Sequence, residues 1–457
     1  MTNTNLLLNT DSYKLSHFVQ YPPGTSHVYS YIESRGGSYD RTLFFGLQAF
    51  LREYLTKPIT QRDIDQAEQI ARKHGEPFNR TGWEHILRQH NGLLPVAIRA
   101  VPEGTVVPTR NVLLTIVNTD PACFWLTSYL ETALLRAIWY PTTVATRSYH
   151  AKQTILGFLE RTGDPALIDF KLHDFGARGA SSQETAMLGG MAHLVNFMGT
   201  DTLVGLVGAT DYYDADIAGF SIPAMEHSSV TSWGREHEID AYRNMLNHYA
   251  KPGALLACVS DSYDIFAACE QWGTTLKEQV VTSGATVVIR PDSGDPATTV
   301  AQCLAILDKH FGHQLNVKGY KVINHVRIIQ GDGVNEESIR SILFKLTLDG
   351  YSADNVAFGM GGGLLQQLDR DTLQFAMKCS AVQVEGVWRD VFKAPVGATG
   401  KHSKKGRMKL VRQMDGNYTT LRQEEQADLP DLLQDVFLNG QVVRNMNFKE
   451  IRTLSRQ

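Results

Sequence analysis

The chain reads as an α/β protein, a (β/α) barrel joined to an α+β domain with an antiparallel sheet. Three observations predict this. Short continuous apolar runs recur through the middle of the chain, and each leads into a polar turn: Ala257-Cys-Val-Ser-Asp261, Thr286-Val-Val-Ile-Arg290-Pro-Asp292-Ser-Gly, Val326-Arg-Ile-Ile-Gln-Gly331-Asp332-Gly and Val356-Ala-Phe-Gly-Met-Gly361-Gly362-Gly. Such runs suit strands buried on both faces. They alternate with helical stretches at 263–281, 296–310 and 336–348, the rhythm of a parallel sheet, whereas residues 1–145 lack that rhythm. In a barrel the active site lies at the carboxyl ends of the strands, where all of these polar turns fall.

In the first domain, 28–32 alternates like a strand and 44–55 reads as a helix. Residues 94–117 hold two or three short strands broken by Pro102, Gly104 and Pro108. An apolar core helix carrying Trp125 and Trp139 is expected at 124–140. The barrel is expected over 146–384. Its first helix stops at Thr162-Gly-Asp-Pro, and a strand at 167–172 leads into His173-Asp-Phe175-Gly-Ala-Arg178-Gly. Ser182 can cap a helix at 181–197. Gly199-Thr-Asp201 heads the next apolar run, Glu226-His227-Ser precedes another helix, and 373–384 is a further strand containing Lys378. About seven strand-plus-turn units result. The tail, 385–457, carries the basic run Lys401-His-Ser-Lys-Lys-Gly-Arg407, a hairpin around Gly416-Asn417 and a helical stretch at 429–437. It is expected to pack with the first domain.

Composition bounds the function. At 457 residues the chain is long enough for two or three domains. A net charge of −4 gives no reason to expect nucleic acid as the main partner. No run approaches the ~20 apolar residues that span a bilayer, and no basic segment precedes Leu6-Leu-Leu as in a signal peptide. The five cysteines show no C-x-x-C spacing, so free thiols in a reducing, cytoplasmic compartment are expected.

The turns suggest phosphate and ribose chemistry. Gly361-Gly-Gly opening a helix can cradle a phosphate with backbone N–H groups, or be a tight turn without a ligand. It fits neither the dinucleotide fingerprint nor a P-loop. Asp292, Asp295 and Asp332, each beside a glycine at a strand end, can accept from ribose hydroxyls, hold Mg²⁺ through water, or merely cap turns. His227 is either structural or a nucleophile toward a phosphoryl group.

Taken together, Thr10-Asp-Ser-Tyr13-Lys, the 173–179 motif, Glu226-His-Ser, Ser260-Asp261-Ser-Tyr-Asp, Ile289-Arg-Pro-Asp-Ser-Gly, Gln330-Gly-Asp-Gly, Phe358-Gly-Met-Gly-Gly-Gly and Ser403-Lys-Lys-Gly-Arg resemble the nicotinamide phosphoribosyltransferase family. The resemblance implies a type II phosphoribosyltransferase barrel and a homodimer with shared active sites. It also implies transfer of phosphoribose from 5-phosphoribosyl 1-pyrophosphate to nicotinamide. By the same resemblance Phe175 and, from the other subunit, Tyr13 sandwich the nicotinamide ring, Asp201 reads the carboxamide, and Arg178 and Arg290 flank ring and ribose. Asp261 takes a ring- or ribose-side contact, Asp292, Gly331 and Asp332 handle the ribose hydroxyls, and Gly361 and Gly362 the 5′-phosphate. Arg35, Arg370, Lys378, Lys393 and Lys401 match the cations on pyrophosphate. Mg²⁺ is the implied cofactor, with no direct protein ligand assigned, and ATP is a coupled substrate that phosphorylates His227. The rivals are a nicotinate-specific enzyme of the same fold, a sugar-phosphate aldolase or isomerase needing a rim lysine or base, and a non-catalytic binding protein.

Overall fold

The structure, a computed structural model, describes residues 5–393 and 403–457. It divides into two compact units: Met1–Thr146, Gly208–Asp216 and Leu368–Gln457 form one, and Arg147–Val207 with Ile217–Gln367 the other.

The first unit is built on a seven-stranded antiparallel sheet. Its order is Val387–Asp390, Phe375–Val384, Thr25–Ser34, Val112–Asn118, Val96–Ala100, Gln434–Leu438 and Gln441–Val442. One face packs on a core in which Trp83, Trp125 and Tyr129 meet edge to face, with ring centroids 4.8–5.8 Å apart. The hairpin expected at Gly416-Asn417 joins Met408–Arg412 to Tyr418–Arg422, with Gly416 at φ +85°.

Four sequence expectations change here. Phe375–Val384 does form a strand, but it pairs antiparallel with Thr25–Ser34 rather than joining the barrel, so Lys378 is not a barrel residue. The stretch expected as a helix at 429–437 ends as the strand Gln434–Leu438, because Val96–Ala100 offers it an edge. The helices expected at 124–140 and from Thr146 merge, after the short Leu126–Tyr129 turn, into one helix, Glu131–Thr162, that runs through Pro141. Thr142 and Thr146 hydroxyls bond the Leu43–Phe45 backbone, and Gly46, at φ +106°, lies over Pro141, where a Cβ would sit 2.3 Å from the ring. Finally, 165–170 is a 3-10 turn rather than strand, and the first barrel strand is Leu172–Asp174.

The second unit is the barrel. Six parallel strands lie in the order Gly199–Thr200, Leu172–Asp174, Val356–Met360, Val326–Gln330, Thr286–Arg290 and Leu255–Val259. The two edges are joined through residues 220–224: Phe220 bridges Gly199, and Ala224 bridges Ala257, both in parallel. Followed around, the six strands and the singly bridged 220–224 segment succeed one another in chain order. Leu256, Cys258, Val287, Ile289 and Ile328 are fully or almost fully buried, while Ala257, Val288 and Ile329 make an inner layer with Ile222, Ala357 and Phe175 against it. Among the described residues no helix is long and apolar enough to cross a membrane, and all five cysteines are free thiols.

Candidate active site

Each strand of the barrel ends in residues with chemistry, and the fold brings these ends to one rim. Leu172–Asp174 delivers Phe175, whose N–H bonds the Met360 carbonyl at 3.0 Å. The ring lies against Gly359. A Cβ built there would fall 1.9 Å from Phe175 Cε2, and one on Gly331 3.6 Å from the same carbon. Glycine in a strand interior marks such close approach. Gly359 is therefore a candidate site residue that the sequence alone did not single out, although a glycine inside an apolar strand was the available signal.

Asp201, next after Gly199–Thr200, is exposed; its N–H bonds the Asp174 carbonyl at 3.0 Å, and its Oδ1 accepts from the Ser221 hydroxyl at 2.7 Å. Asp174 is fully buried, and its Oδ1 accepts from Gly176 N–H at 2.7 Å. Burial pushes the Asp174 carboxyl up to about 6; the Gly176 N–H and the Thr202 hydroxyl pull it back, and the Asp201 charge pushes it further. The ordinary value is near 3.8, so the folded state binds the proton more tightly than the unfolded chain does. The stability this adds is fully present below pH 3.8 and is lost as the pH rises through about 6. Asp174→Asn is accordingly expected to raise stability at pH 7.5 by about 1–3 kcal/mol and to leave it nearly unchanged at pH 4. Thermal unfolding at the two pH values checks this; an equal change at both removes the explanation.

Next around the rim, His227 opens the helix His227–Thr231, and its Nε2 lies 2.9 Å from Asp261 Oδ1. Asp261 is nearly buried, and its second oxygen accepts from Ser293 at 2.7 Å. Arg290, at the end of its strand, sits 3.7 Å from Asp292, and its Nε is buried without a hydrogen-bond partner among the described residues. Burial raises the Asp292 carboxyl; Arg290 opposes this, while Asp261 adds to it, with a smaller push from Asp332. Gly331 faces Asp292, whose Oδ1 would be 2.9 Å from a Cβ there. Asp332 is exposed, and Gly361 and Gly362 present open space, with nothing within 3.5 Å of a Cβ on either. Arg178 is exposed in the turn Ala177–Gly179. Asp295 takes the turn-capping role instead: it accepts from Thr298 N–H and heads the helix Pro296–Phe311. The serines at 221 and 293, which fix Asp201 and Asp261, carried no spacing signal.

The remaining expected residues lie in the first unit. Arg35 pairs with buried Glu33 at 3.1 Å, and its Nη2 is buried without a partner among the described residues. Glu33 also binds Lys404. Lys378 is half-buried, which lowers its affinity for a proton; Glu131 opposes this, while Arg35, Lys14 and Lys393 add to it. These cations thus share one patch. Arg370 is exposed beside Asp371 at 3.1 Å. Tyr13 is 56% exposed, and its ring meets His17 edge to face and lies near the Lys14 ammonium. Lys401 lies outside the described residues.

Known proteins resemble the chain over nearly its whole length. A model of the nicotinate phosphoribosyltransferase (NAPRTase) family matches residues 170–441, and one of the nicotinamide phosphoribosyltransferase N-terminal domain matches residues 5–98. The chain is 59% identical over 456 residues to a nicotinamide phosphoribosyltransferase of Xanthomonas campestris pv. campestris, covering 98% of this chain and 97% of that one. It is 32% identical to that of Acinetobacter baylyi, covering 98% and 96%. Among solved structures, the nicotinate-nucleotide pyrophosphorylase from Pyrococcus furiosus matches with a TM-score of 0.65 at 16% identity, covering 100% of this chain and 96% of that one. Human nicotinic acid phosphoribosyltransferase matches with 0.56 at 17%, covering 98% and 92%. At these identities the two structures speak for the fold.

Proposed function

This chain belongs to the nicotinamide phosphoribosyltransferase family, and from that premise we propose that it transfers phosphoribose from 5-phosphoribosyl 1-pyrophosphate to nicotinamide, giving nicotinamide mononucleotide and pyrophosphate for NAD salvage. The observation that carries the reading is the barrel rim itself. An aromatic ring seated on glycine, a carboxylate at the neighbouring strand end, and an arginine with two aspartates share one set of strand ends.

The chemistry asks little of a base. The pyridine nitrogen attacks ribose C1 with its own lone pair, the C1–N bond forms, and the C1–O bond breaks with its electron pair leaving on pyrophosphate. The work is positioning and charge stabilisation. Phe175 offers one face for the flat ring, and Tyr13 of a second copy of the chain covers the other. Asp201 accepts from the carboxamide NH₂ through the oxygen that Ser221 leaves free, and it repels the carboxylate of nicotinate. Arg178 and Arg290 flank ring and ribose, Asp292, Gly331 and Asp332 take the ribose hydroxyls, and Gly361-Gly362 the 5′-phosphate. Arg35, Arg370, Lys378, Lys393 and Lys401 hold pyrophosphate in a homodimer with shared sites. Mg²⁺ fits as an ion carried by the substrate's phosphates and one or two rim carboxylates, because among the described residues no three rim carboxylates lie close enough to cage it; it would screen the leaving group's charge.

His227 is read as a phosphoryl acceptor from ATP. Asp261 holds Nε2, so the other ring nitrogen can act as the nucleophile, and the 45% exposed side chain is open to a triphosphate. His227→Ala is expected to abolish stimulation by ATP while basal transfer persists; full stimulation in that variant removes the role.

The deciding assay supplies 5-phosphoribosyl 1-pyrophosphate and Mg²⁺ with nicotinamide or nicotinate, each with and without ATP. Nicotinamide mononucleotide formed preferentially, and faster with ATP, supports the reading; preference for nicotinate overturns the base assignment. An aldolase with a Schiff-base lysine is disfavoured, since Lys378 belongs to the antiparallel sheet and the rim turns contain no lysine.

A further inference from the structure

In the first unit, four side chains with metal-binding chemistry meet at a place the transfer reaction does not use. The helix Arg80–Gln89 carries His85 and ends on His90 as its cap, anchored in the core by Trp83 and Ile86. Asp120 opens the short turn Pro121–Cys123. Its carboxylate is held in place: Oδ1 accepts from Ala122 N–H at 2.9 Å, and its backbone carbonyl accepts from the Asn118 amide at 2.8 Å. The other oxygen, Oδ2, lies 2.7 Å from Nε2 of His85 and 2.7 Å from Nε2 of His90. The thiol of Cys123, fully buried, completes a group with His85 and Asp120 whose donor atoms all lie within 4.8 Å of one another.

We propose that His85, His90, Asp120 and Cys123 form a binding site for a single Zn²⁺ ion. Two imidazole nitrogens, one carboxylate oxygen and one sulfur make a borderline-soft set that suits Zn²⁺ and not Mg²⁺ or Ca²⁺, which prefer oxygen. Ligand bonds of ~2.0–2.3 Å at tetrahedral angles put donor atoms roughly 3.3–3.8 Å apart. From the present arrangement the nitrogens 2.7 Å from Asp120 have to open, the sulfur has to close in, and His90, which touches Asp120 but lies outside the 4.8 Å group of His85, Asp120 and Cys123, has to turn toward the ion. The imidazoles, 34% and 27% exposed, have room to turn, and their exposure gives an ion a way in. One carboxylate oxygen facing the ion while the other accepts a backbone N–H is the usual support for a monodentate ligand. The competing arrangement is a plain hydrogen-bond network, in which Asp120 is shared by two imidazole N–H groups and Cys123 is a bystander.

Co²⁺, a spectroscopic stand-in for Zn²⁺, separates the two. Full-length protein is dialysed against chelator and titrated with Co²⁺ in a large excess of Mg²⁺, which keeps phosphate-type and carboxylate sites occupied. One equivalent of Co²⁺ is expected to give strong visible absorption of a four-coordinate ion together with a thiolate-to-cobalt charge-transfer band, and Zn²⁺ is expected to displace both. Cys123→Ser is expected to lose the charge-transfer band. His90→Gln, at a partly exposed position that leaves the core intact, is expected to weaken Co²⁺ binding by at least about tenfold. No saturable absorption in the wild-type protein, or absorption lacking the thiolate band, overturns the proposal. So does binding that His90→Gln leaves unchanged. Because the readout is metal binding, the result stands apart from the transfer assay.

Discussion

Asp201→Asn is expected to reduce the preference for nicotinamide over nicotinate by roughly 10–100-fold in kcat/KM, mainly by admitting nicotinate. The structure places this carboxylate at the carboxyl end of Gly199–Thr200, with Ser221 on one oxygen, and close enough to Asp174 and His173 to alter their proton affinity. An ionised Asp201 can only accept hydrogen bonds, so it matches the amide NH₂ of nicotinamide. Against a carboxylate ligand it offers no donor and a like charge. Asparagine keeps the shape, loses the charge and brings two N–H donors. A hydrogen bond to a charged group contributes about 1.5–3 kcal/mol, and ~1.4 kcal/mol is a factor of ten, which sets the range given. Steady-state kinetics with the two bases, at fixed 5-phosphoribosyl 1-pyrophosphate and Mg²⁺, measures it. A ratio unchanged within twofold would remove Asp201 from base selection and leave the rest of the rim standing.

Much of this rim was legible in the chain because barrel strands are buried on both faces, which forces unbroken apolar runs with abrupt polar ends. That signal located Asp261, Arg290, Asp292, Gly331, Asp332 and the Gly361 turn. It failed where the decisive partner is remote in sequence. Phe375–Val384 looks the same to a parallel barrel as to an antiparallel sheet; only Thr25–Ser34 chooses between them. The segment that closes the barrel touches its neighbours through single bridges at Phe220 and Ala224, with Pro223 between, too little regular pairing to leave a periodic pattern. At 434–438, an available sheet edge overrides local helical character. Pro141 reads as a helix break until the threonine hydroxyls that dock its helix are seen. Aspartates at turns divide in the same way: Asp292 faces other charges, whereas Asp295, three residues on, only caps a helix.

Gly359→Ala should act through such a remote partner. The backbone there tolerates alanine, since Gly359 is an ordinary strand residue without positive φ, so the effect is steric alone. The new methyl falls 1.9 Å from Cε2, 2.2 Å from Cδ2 and 2.7 Å from Cζ of Phe175. The ring cannot retreat with its backbone, because the Phe175 N–H is tied to the Met360 carbonyl one residue away from the clash. It has to swing off the Ala257, Val288 and Ile329 layer instead. Overpacking of this kind costs about 1–3 kcal/mol, and a ring displaced by an ångström or more is expected to lower kcat/KM for nicotinamide by roughly 10²-fold. A double-mutant cycle isolates the cause. In a Phe175→Ala background the clash has no second partner, so adding Gly359→Ala should cost little further stability and little further activity. If the two losses instead add, Gly359 serves the barrel wall and not the ring, and the stacking face assigned to Phe175 loses its seat.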